Sequence, residues 1–203
     1  MNLPHIYLAS KSPRRRQMLE MVGIKFTLLE TEVDEENHFA DNPREYVISL
    51  SGKKADAAAQ TVREGIIAAA DTIVYLDGKI LNKPKDAEDA RRMLKLLSGR
   101  THQVYTGFTI LRLHDRKVLQ QCEVTDVTFR RLDEEEIEEY VQSGAPLDKA
   151  RAYGIQDDLS ALFVERIDGC FYNVVGLPLP KFYLALKKFA DPKDSSDAEK
   201  TTR

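Results

Sequence analysis

The longest apolar stretch of this 203-residue sequence, Ile66 to Tyr75, is interrupted only by Asp71 and Thr72. Burying an ionised carboxylate inside a run such as Ile66-Ile67-Ala68-Ala69-Ala70 costs several kcal/mol unless it meets a metal, a cation or strong hydrogen-bond donors. The plain alternative is a strand that stops at Ala70 and turns at Asp71-Thr72. Against it, Ile73, Val74 and Tyr75 resume the apolar run at once. Placed where water meets a phosphoryl group, such a carboxylate is suited to hold a divalent metal or to act as a general base.

Positive charge of matching use sits in Arg14, Arg15 and Arg16. Ser12-Pro13 ahead of them looks like an N-cap followed by proline at the first helical position. Residues four apart share a helix face, so Arg14 stacks over Met18 and Arg15 over Leu19 on an inward stripe toward Val22, whereas Arg16 stacks over Glu20. Arg14 and Arg15 therefore stand at a helix start with unpaired N–H groups, an anion site that suits phosphate. Ser10 and Ser12 flank the turn as further hydroxyl donors, although both have ordinary roles in turns and caps.

Two lysines and an acidic loop complete the set. Lys54 lies at an apolar boundary before Ala55, and Lys83 is fixed by Pro84; alone, each is ordinary surface. Glu30, Glu32, Asp34, Glu35 and Glu36 offer hard oxygen ligands of the kind Mg²⁺ prefers, though such a charge run is usually solvated. One carboxylate in a buried strand with several separated cations describes a site for a metal-bound polyphosphate. The sequence contains neither GxxxxGK[ST] nor GxGxxG, which disfavours a P-loop NTPase and a dinucleotide-binding domain.

The elements that must position these residues alternate between strand and helix. Strands are expected at Ile6–Ala9, Phe26–Leu29 and Ile66–Tyr75, with a return through Ile80 and Leu81 after the Asp77-Gly78 hairpin turn. Further strands are expected at Gln103–Leu113, Val118–Phe129 and Ala161–Ile167. Helices are expected from Pro13 to about Val22 with Gly23 as the stop, and from Asn42-Pro43 to about Gln60. Asp86 caps another that ends near Leu97 before Gly99. Asp133 and Glu136 form a capping-box pattern for a helix ending near Ser143-Gly144. Phe182, Leu186 and Phe189 share one face of a last helix over Pro178–Ala190. The fold class is α/β: a single elongated domain over residues 1–190 with a mixed β-sheet flanked by helices, then a disordered polar tail over 191–203.

Composition narrows the class of function. The 30 Lys+Arg and 33 Asp+Glu leave a net charge of −3, too nearly balanced for a surface that grips a nucleic-acid polymer. Cys122 and Cys170 are the only cysteines, and they stand outside any CxxC or His/Cys cluster. No stretch approaches the ~18 apolar residues that a membrane span needs. A cytoplasmic protein with no nucleic-acid polymer and no membrane as partner is expected.

These residues fall in recognisable motifs. Leu8-Ala9-Ser10-Lys11-Ser12-Pro13-Arg14-Arg15, Ala69-Ala70-Asp71-Thr72, Lys83-Pro84, Leu97-Ser98-Gly99, Asp148-Lys149-Ala150, Tyr153-Gly154-Ile155-Gln156 and Asn173-Val174-Val175-Gly176-Leu177-Pro178 closely resemble, in order, the Maf family of nucleotide pyrophosphatases. The resemblance runs from about Tyr7 to Leu186.

The resemblance implies a fold related to inosine triphosphate pyrophosphatases and hydrolysis of a nucleoside triphosphate between its α and β phosphates, with a divalent metal, Mg²⁺ or Mn²⁺, as cofactor. It implies Asp71 as the catalytic proton acceptor, Glu35 and Asp71 on the metal side, and Ser10, Arg14, Arg15, Lys54 and Lys83 on the phosphates. Arg14, Thr72 and Gln156 match specificity positions of the subgroup acting on dTTP and UTP. A glutamine amide offers donor and acceptor together, matching the O4 or O2 acceptors and N3–H donor of uracil or thymine. Arg151 and Asp157-Asp158 depart from the family pattern beside the expected base pocket, so they bear on base preference more than on the reaction. A homodimer is implied only through family habit. The same reaction on 7-methyl-GTP or another modified nucleotide, and a nucleotide-binding division regulator without turnover, are the alternatives; removal of unwanted or modified nucleotides is the expected role.

Overall fold

The computed structural model describes residues 4–33, 42–144, 153–156 and 158–189. In chain order these form β1 (Ile6–Ala9), α1 (Pro13–Met21), β2 (Thr27–Leu29), α2 (Pro43–Ala59), β3 (Ile66–Leu76), β4 (Lys79–Leu81), α3 (Ala87–Leu97), β5 (Thr101–Arg112), β6 (Val118–Phe129), α4 (Glu134–Gln142), β7 (Val164–Asp168), α5 (Phe171–Val175) and α6 (Leu179–Phe189). Glu35, Asp148-Lys149-Ala150, Arg151, Asp157 and the tail 191–203 lie outside the described residues. No helix among the described residues is long and apolar enough to cross a membrane.

All seven strands join one mixed sheet in the order β2-β1-β3-β5-β6-β7, with β4 added to β3. β1 runs parallel to β2 and β3, while β4 and β5 are antiparallel to β3. Alternation along β3 sends Ile67, Ala69 and Ile73 to the face covered by α2, through Val47, Ala55 and Ala58. Ile66, Ala68 and Ala70 turn the other way, against Met18 and Leu19 of α1 and Phe182, Leu186 and Phe189 of α6. Farther along that second face, Val74 and Leu76 pack with α3 and α4. Each large side chain buried fully in these layers contributes about 1.5–3 kcal/mol.

α2 rests on the sheet more closely than a side chain permits. A Cβ on Gly107 of β5 would lie 2.5 Å from both the carbonyl carbon and oxygen of Val47, so glycine is required where the helix backbone meets the strand. Ser51 Oγ, 2.8 Å from Thr109 Oγ1, pins the same helix one turn on.

Local signals worked as expected at Asn42, whose side chain accepts from the Glu45 amide, and at the Asp133/Glu136 capping box. Three details differ. Ser12 stands at the N-cap of α1 but its hydroxyl makes no cap hydrogen bond; the serine hydroxyl that does take a backbone amide in this turn is that of Ser10, which accepts from the Ser12 amide at 3.2 Å. The inward stripe of α1 stops at Leu19: Val22 is 41% exposed, and Ile24 beyond Gly23 turns inward in its place. The strand expected over Ala161–Ile167 begins only at Val164. Asp158–Phe163 is a 3₁₀ helix that buries Phe163 among α3 and α4 and leaves Leu162 outside. The five-residue α5 was not foreseen.

Candidate active site

β3 is longer than what flanks it on one side. β1 pairs with Ile66–Ala69, and β4 pairs with Val74–Leu76, which leaves residues 70–73 without a ladder partner on that side. On the other side β5 pairs continuously from Ile66 to Tyr75. Both short strands run toward the gap and end there. The turn leaving β1 carries Ser10 into α1, and the segment leaving β4 carries Asn82 and Lys83. Asp71 is thus held rigidly by β5 and faces an opening whose two rims are strand ends.

That opening is a cleft of about 980 Å³, with Ser10, Arg14, Arg15, Lys54, Asp71 and Lys83 on its walls. Its size and mixture of polar groups suit a small-molecule ligand. The α1 N-terminus forms one wall, with no acidic residue in its first turn, so peptide dipole and arginine charge act in the same sense on an anion. Lys83 is exposed while the following Pro84 is buried, which anchors the chain beneath the lysine.

Asp71 is balanced from α2. Lys54 Nζ donates to Asp71 Oδ1 at 2.6 Å, with the side chains 16% and 13% exposed. The sequence demanded a partner for this carboxylate, and the structure supplies a cation.

Arg14 and Arg15 divide their work. Arg15 is buried, and its Nε donates to the Gly176 carbonyl at 2.8 Å, Nη1 to Ser10 Oγ at 3.2 Å and Nη2 to Thr72 Oγ1 at 2.9 Å. Burial pulls its guanidinium below the ordinary value, while Asp71 acts in the opposite direction; an arginine stays charged all the same. Three of its five N–H groups are therefore bound to the protein. Arg14 is half-buried and lines both the cleft and a second, smaller hollow.

Thr72 points to the sheet face opposite Asp71. Besides accepting from Arg15, its Oγ1 lies 3.0 Å from Thr106 Oγ1 and donates to the Gly176 carbonyl at 3.3 Å. Thr106 in turn reaches the Asn173 carbonyl at 3.1 Å. The hydroxyl of Thr72 is thus engaged within the protein and ties β3 to the end of α5.

Gln156 is exposed on a turn beside the smaller hollow, which it lines with Arg14, Tyr153, Gly154, Ile155, Val174 and Val175. This hollow has a volume of about 10 Å³, room for one water molecule, so Gln156 is reached from its exposed side. Arg14 and Val175 border both spaces and join them.

Glu35, expected on the metal side, falls outside the described residues. Among the described residues no three His, Cys, Asp or Glu side chains cluster as a metal site. The sequence assigns no role to two contributors, Lys11 and Gly176, while Glu32 stands in its acidic loop. Lys11 and Glu32 pair across the cleft rim at 3.1 Å, and Gly176, at φ +131°, presents its carbonyl to Arg15 and Thr72. The signal for Gly176 was a glycine closing the Val174-Val175 run before Leu177-Pro178.

Residues 5–189 match the family described as Maf-like protein. A relative from Carboxydothermus hydrogenoformans named dTTP/UTP pyrophosphatase is 48% identical over 184 residues, covering 91% of this chain and 98% of that one. Another of the same name from Clostridium perfringens is 46% identical, covering 91% and 96%, and one from Shigella boydii is 45% identical, covering 95% and 96%. Among solved structures, the Staphylococcus aureus Ham1 protein superposes with a TM-score of 0.45 at 14% identity, covering 62% of this chain and 71% of that one. With its family match spanning nearly all the described residues, this chain belongs to the Maf family.

Proposed function

We propose that this protein is a cytoplasmic nucleoside triphosphate pyrophosphatase that hydrolyses dTTP and UTP to the nucleoside monophosphate and pyrophosphate. The observation that carries this is Asp71, held open to a cleft of nucleotide size and surrounded by Arg14, Lys54 and Lys83. The names of the relatives point to the same reaction.

In this reading Asp71 accepts a proton from the attacking water. The water oxygen bonds to the α-phosphorus, the bond from that phosphorus to the αβ-bridging oxygen breaks, and pyrophosphate leaves. Arg14, Lys54 and Lys83 neutralise the charge that collects on the leaving group, each charge-assisted hydrogen bond contributing about 1.5–3 kcal/mol. Arg15 holds Ser10 and Thr72 in place beneath them. Gln156, at the junction marked by Arg14, reads the base.

A Mg²⁺ or Mn²⁺ ion fits the donor chemistry. Such ions take one or two carboxylates and fill the remaining positions with phosphate oxygens and water, and the cleft offers Asp71 and Glu32. Asp71 would hold the ion, with Glu35 as the other expected ligand. When bound, the ion supplies charge neutralisation of the triphosphate.

The test is a nucleotide panel with Mg²⁺ or Mn²⁺, measuring pyrophosphate release, run on the wild type and on Asp71→Asn. Release from dTTP and UTP that disappears in Asp71→Asn is expected. Faster turnover of 7-methyl-GTP than of either overturns the assigned bases, and full activity in Asp71→Asn overturns the assigned proton acceptor.

A further inference from the structure

We infer that Lys11 is a further phosphate-binding residue, one that exchanges its carboxylate partner, Glu32, for the triphosphate as a nucleotide enters. This rests on the reading of the cleft as a triphosphate site.

Two carboxylates stand on the cleft walls among the described residues, Asp71 and Glu32, and each is paired with a lysine. The pairs differ in what holds them. Lys54 and Asp71 belong to α2 and β3, two elements of the core, and their side chains are 16% and 13% exposed. Lys11 stands in the turn between β1 and α1, and Glu32 follows the end of β2; their side chains are 55% and 91% exposed. A pair so open to water contributes little, so Lys11 leaves its partner at small cost.

The lysine also has a second place to bind. It is set between Ser10 and Ser12, and all three line the cleft beside Arg14. Its ammonium carries three N–H donors, and Glu32 Oε1, at 3.1 Å, is its one hydrogen-bond acceptor among the described residues. The charge rides on a flexible four-carbon stem. Nζ therefore changes partner by rotation about side-chain bonds, while the turn stays where the Ser10 hydroxyl holds the Ser12 amide. An entering polyphosphate brings several negative charges to a rim where Glu32 brings one. It repels the carboxylate, which turns into water from a position already almost fully exposed, and it draws the lysine into charge-assisted hydrogen bonds. Glu32 thus balances Lys11 until the substrate supplies the stronger anion.

Isothermal titration calorimetry with tripolyphosphate tests this in the wild type, Lys11→Gln, Glu32→Gln, the double variant and Lys83→Gln, with EDTA present so that no divalent ion reaches Glu32. Both rim side chains are more than half exposed, so their variants are expected to keep the wild-type Tm. Lys11→Gln is expected to weaken binding roughly three- to tenfold, the net value of one hydrogen bond. Glu32→Gln strengthens binding in either background because a like charge is removed, and the exchange adds a further gain only where Lys11 is present to be released. That further gain is expected to be roughly two- to fivefold, the value of an exposed pair, read as the coupling in the double-mutant cycle. Equal effects of Glu32→Gln with and without Lys11 mean that the pair survives binding, and they overturn the inference. Binding weakened by Lys83→Gln and untouched by Lys11→Gln also overturns the inference alone. Binding indifferent to both lysines, or no binding in the wild type, overturns the triphosphate reading beneath it as well.

Discussion

Lys54 Nζ lies 2.6 Å from Asp71 Oδ1 in a place where neither side chain is more than 16% exposed. The pair joins α2 to β3 and leaves the carboxylate compensated before any polyanion enters. Truncating one member of a buried pair strands the other charge, and here the stranded group would be a carboxylate facing phosphates. Lys54→Ala is therefore expected to lower kcat/KM for UTP by roughly 10- to 150-fold, the equivalent of one charged hydrogen bond. Steady-state kinetics at fixed ionic strength measures it. A loss smaller than twofold would separate Lys54 from the chemistry.

Arg15 makes a different prediction from its neighbour Arg14. Its guanidinium reaches Gly176, Ser10 and Thr72 at once, and a lysine ammonium lacks the planar fork needed to span them. Arg15→Lys is expected to cost about 1.5–3 kcal/mol of stability, which for a chain of this length lowers Tm by roughly 3–12 °C. Arg14→Lys, at a half-buried cleft position, leaves Tm near the wild type and raises KM instead. Thermal denaturation beside kinetics resolves the two; equal Tm values for both variants would remove the distinction.

That distinction also marks where sequence reasoning ended. Asp71 was legible because a charge inside an apolar run is expensive wherever the run folds. The cap at Asn42, the Asp77-Gly78 turn and the stripe through Phe182, Leu186 and Phe189 were legible because each is a local rule. Arg14 and Arg15 sit side by side at a helix start, and local rules treat them alike. What separates them is the Gly176 carbonyl, 161 residues away. Thr72 is similar: its hydroxyl answers to Thr106 and Gly176 across the sheet. Only the last three residues of the 3₁₀ helix, Ala161, Leu162 and Phe163, read as strand in the sequence, because all three are apolar, yet of these only Phe163 finds a core to enter.

Acid stability follows from α4. Hydrogen bonds from Arg130 hold Glu136 down from an ordinary 4.5 to about 2, and those from Arg91 and Gln142 do the same for Glu138. A carboxyl group whose folded value is depressed contributes stability that is present above its unfolded value and lost as pH falls toward the folded one. Stability is expected to decline between pH 4.5 and about 2. Both pairs are about a third or more exposed, so salt weakens the effect. The double variant Glu136→Gln, Glu138→Gln keeps a residue able to complete the capping box at position 136. Its Tm should fall less steeply across that window than the wild-type Tm, and parallel curves would exclude these two groups.

The position facing Asp71 across the β3–β5 ladder is Gly107, and its missing side chain governs the site from the strand below. A Cβ there would meet the Val47 carbonyl group at 2.5 Å and the Ile48 nitrogen at 2.8 Å. All of these are backbone atoms, so no side chain can swing aside, and α2 itself must lift. Val47 and Lys54 are seven residues apart and share a helix face, so lifting α2 at Val47 carries Lys54 away from Asp71. Gly107→Ala is expected to cost about 1–3 kcal/mol through overpacking and to lower kcat/KM along with Lys54→Ala. The decisive measurement is a double-mutant cycle. If Gly107 acts through the Lys54–Asp71 contact, the second substitution adds little once the first has broken it, and the cycle shows a coupling of about 0.5–3 kcal/mol in transition-state free energy. Additive losses would mean that the glycine serves packing alone.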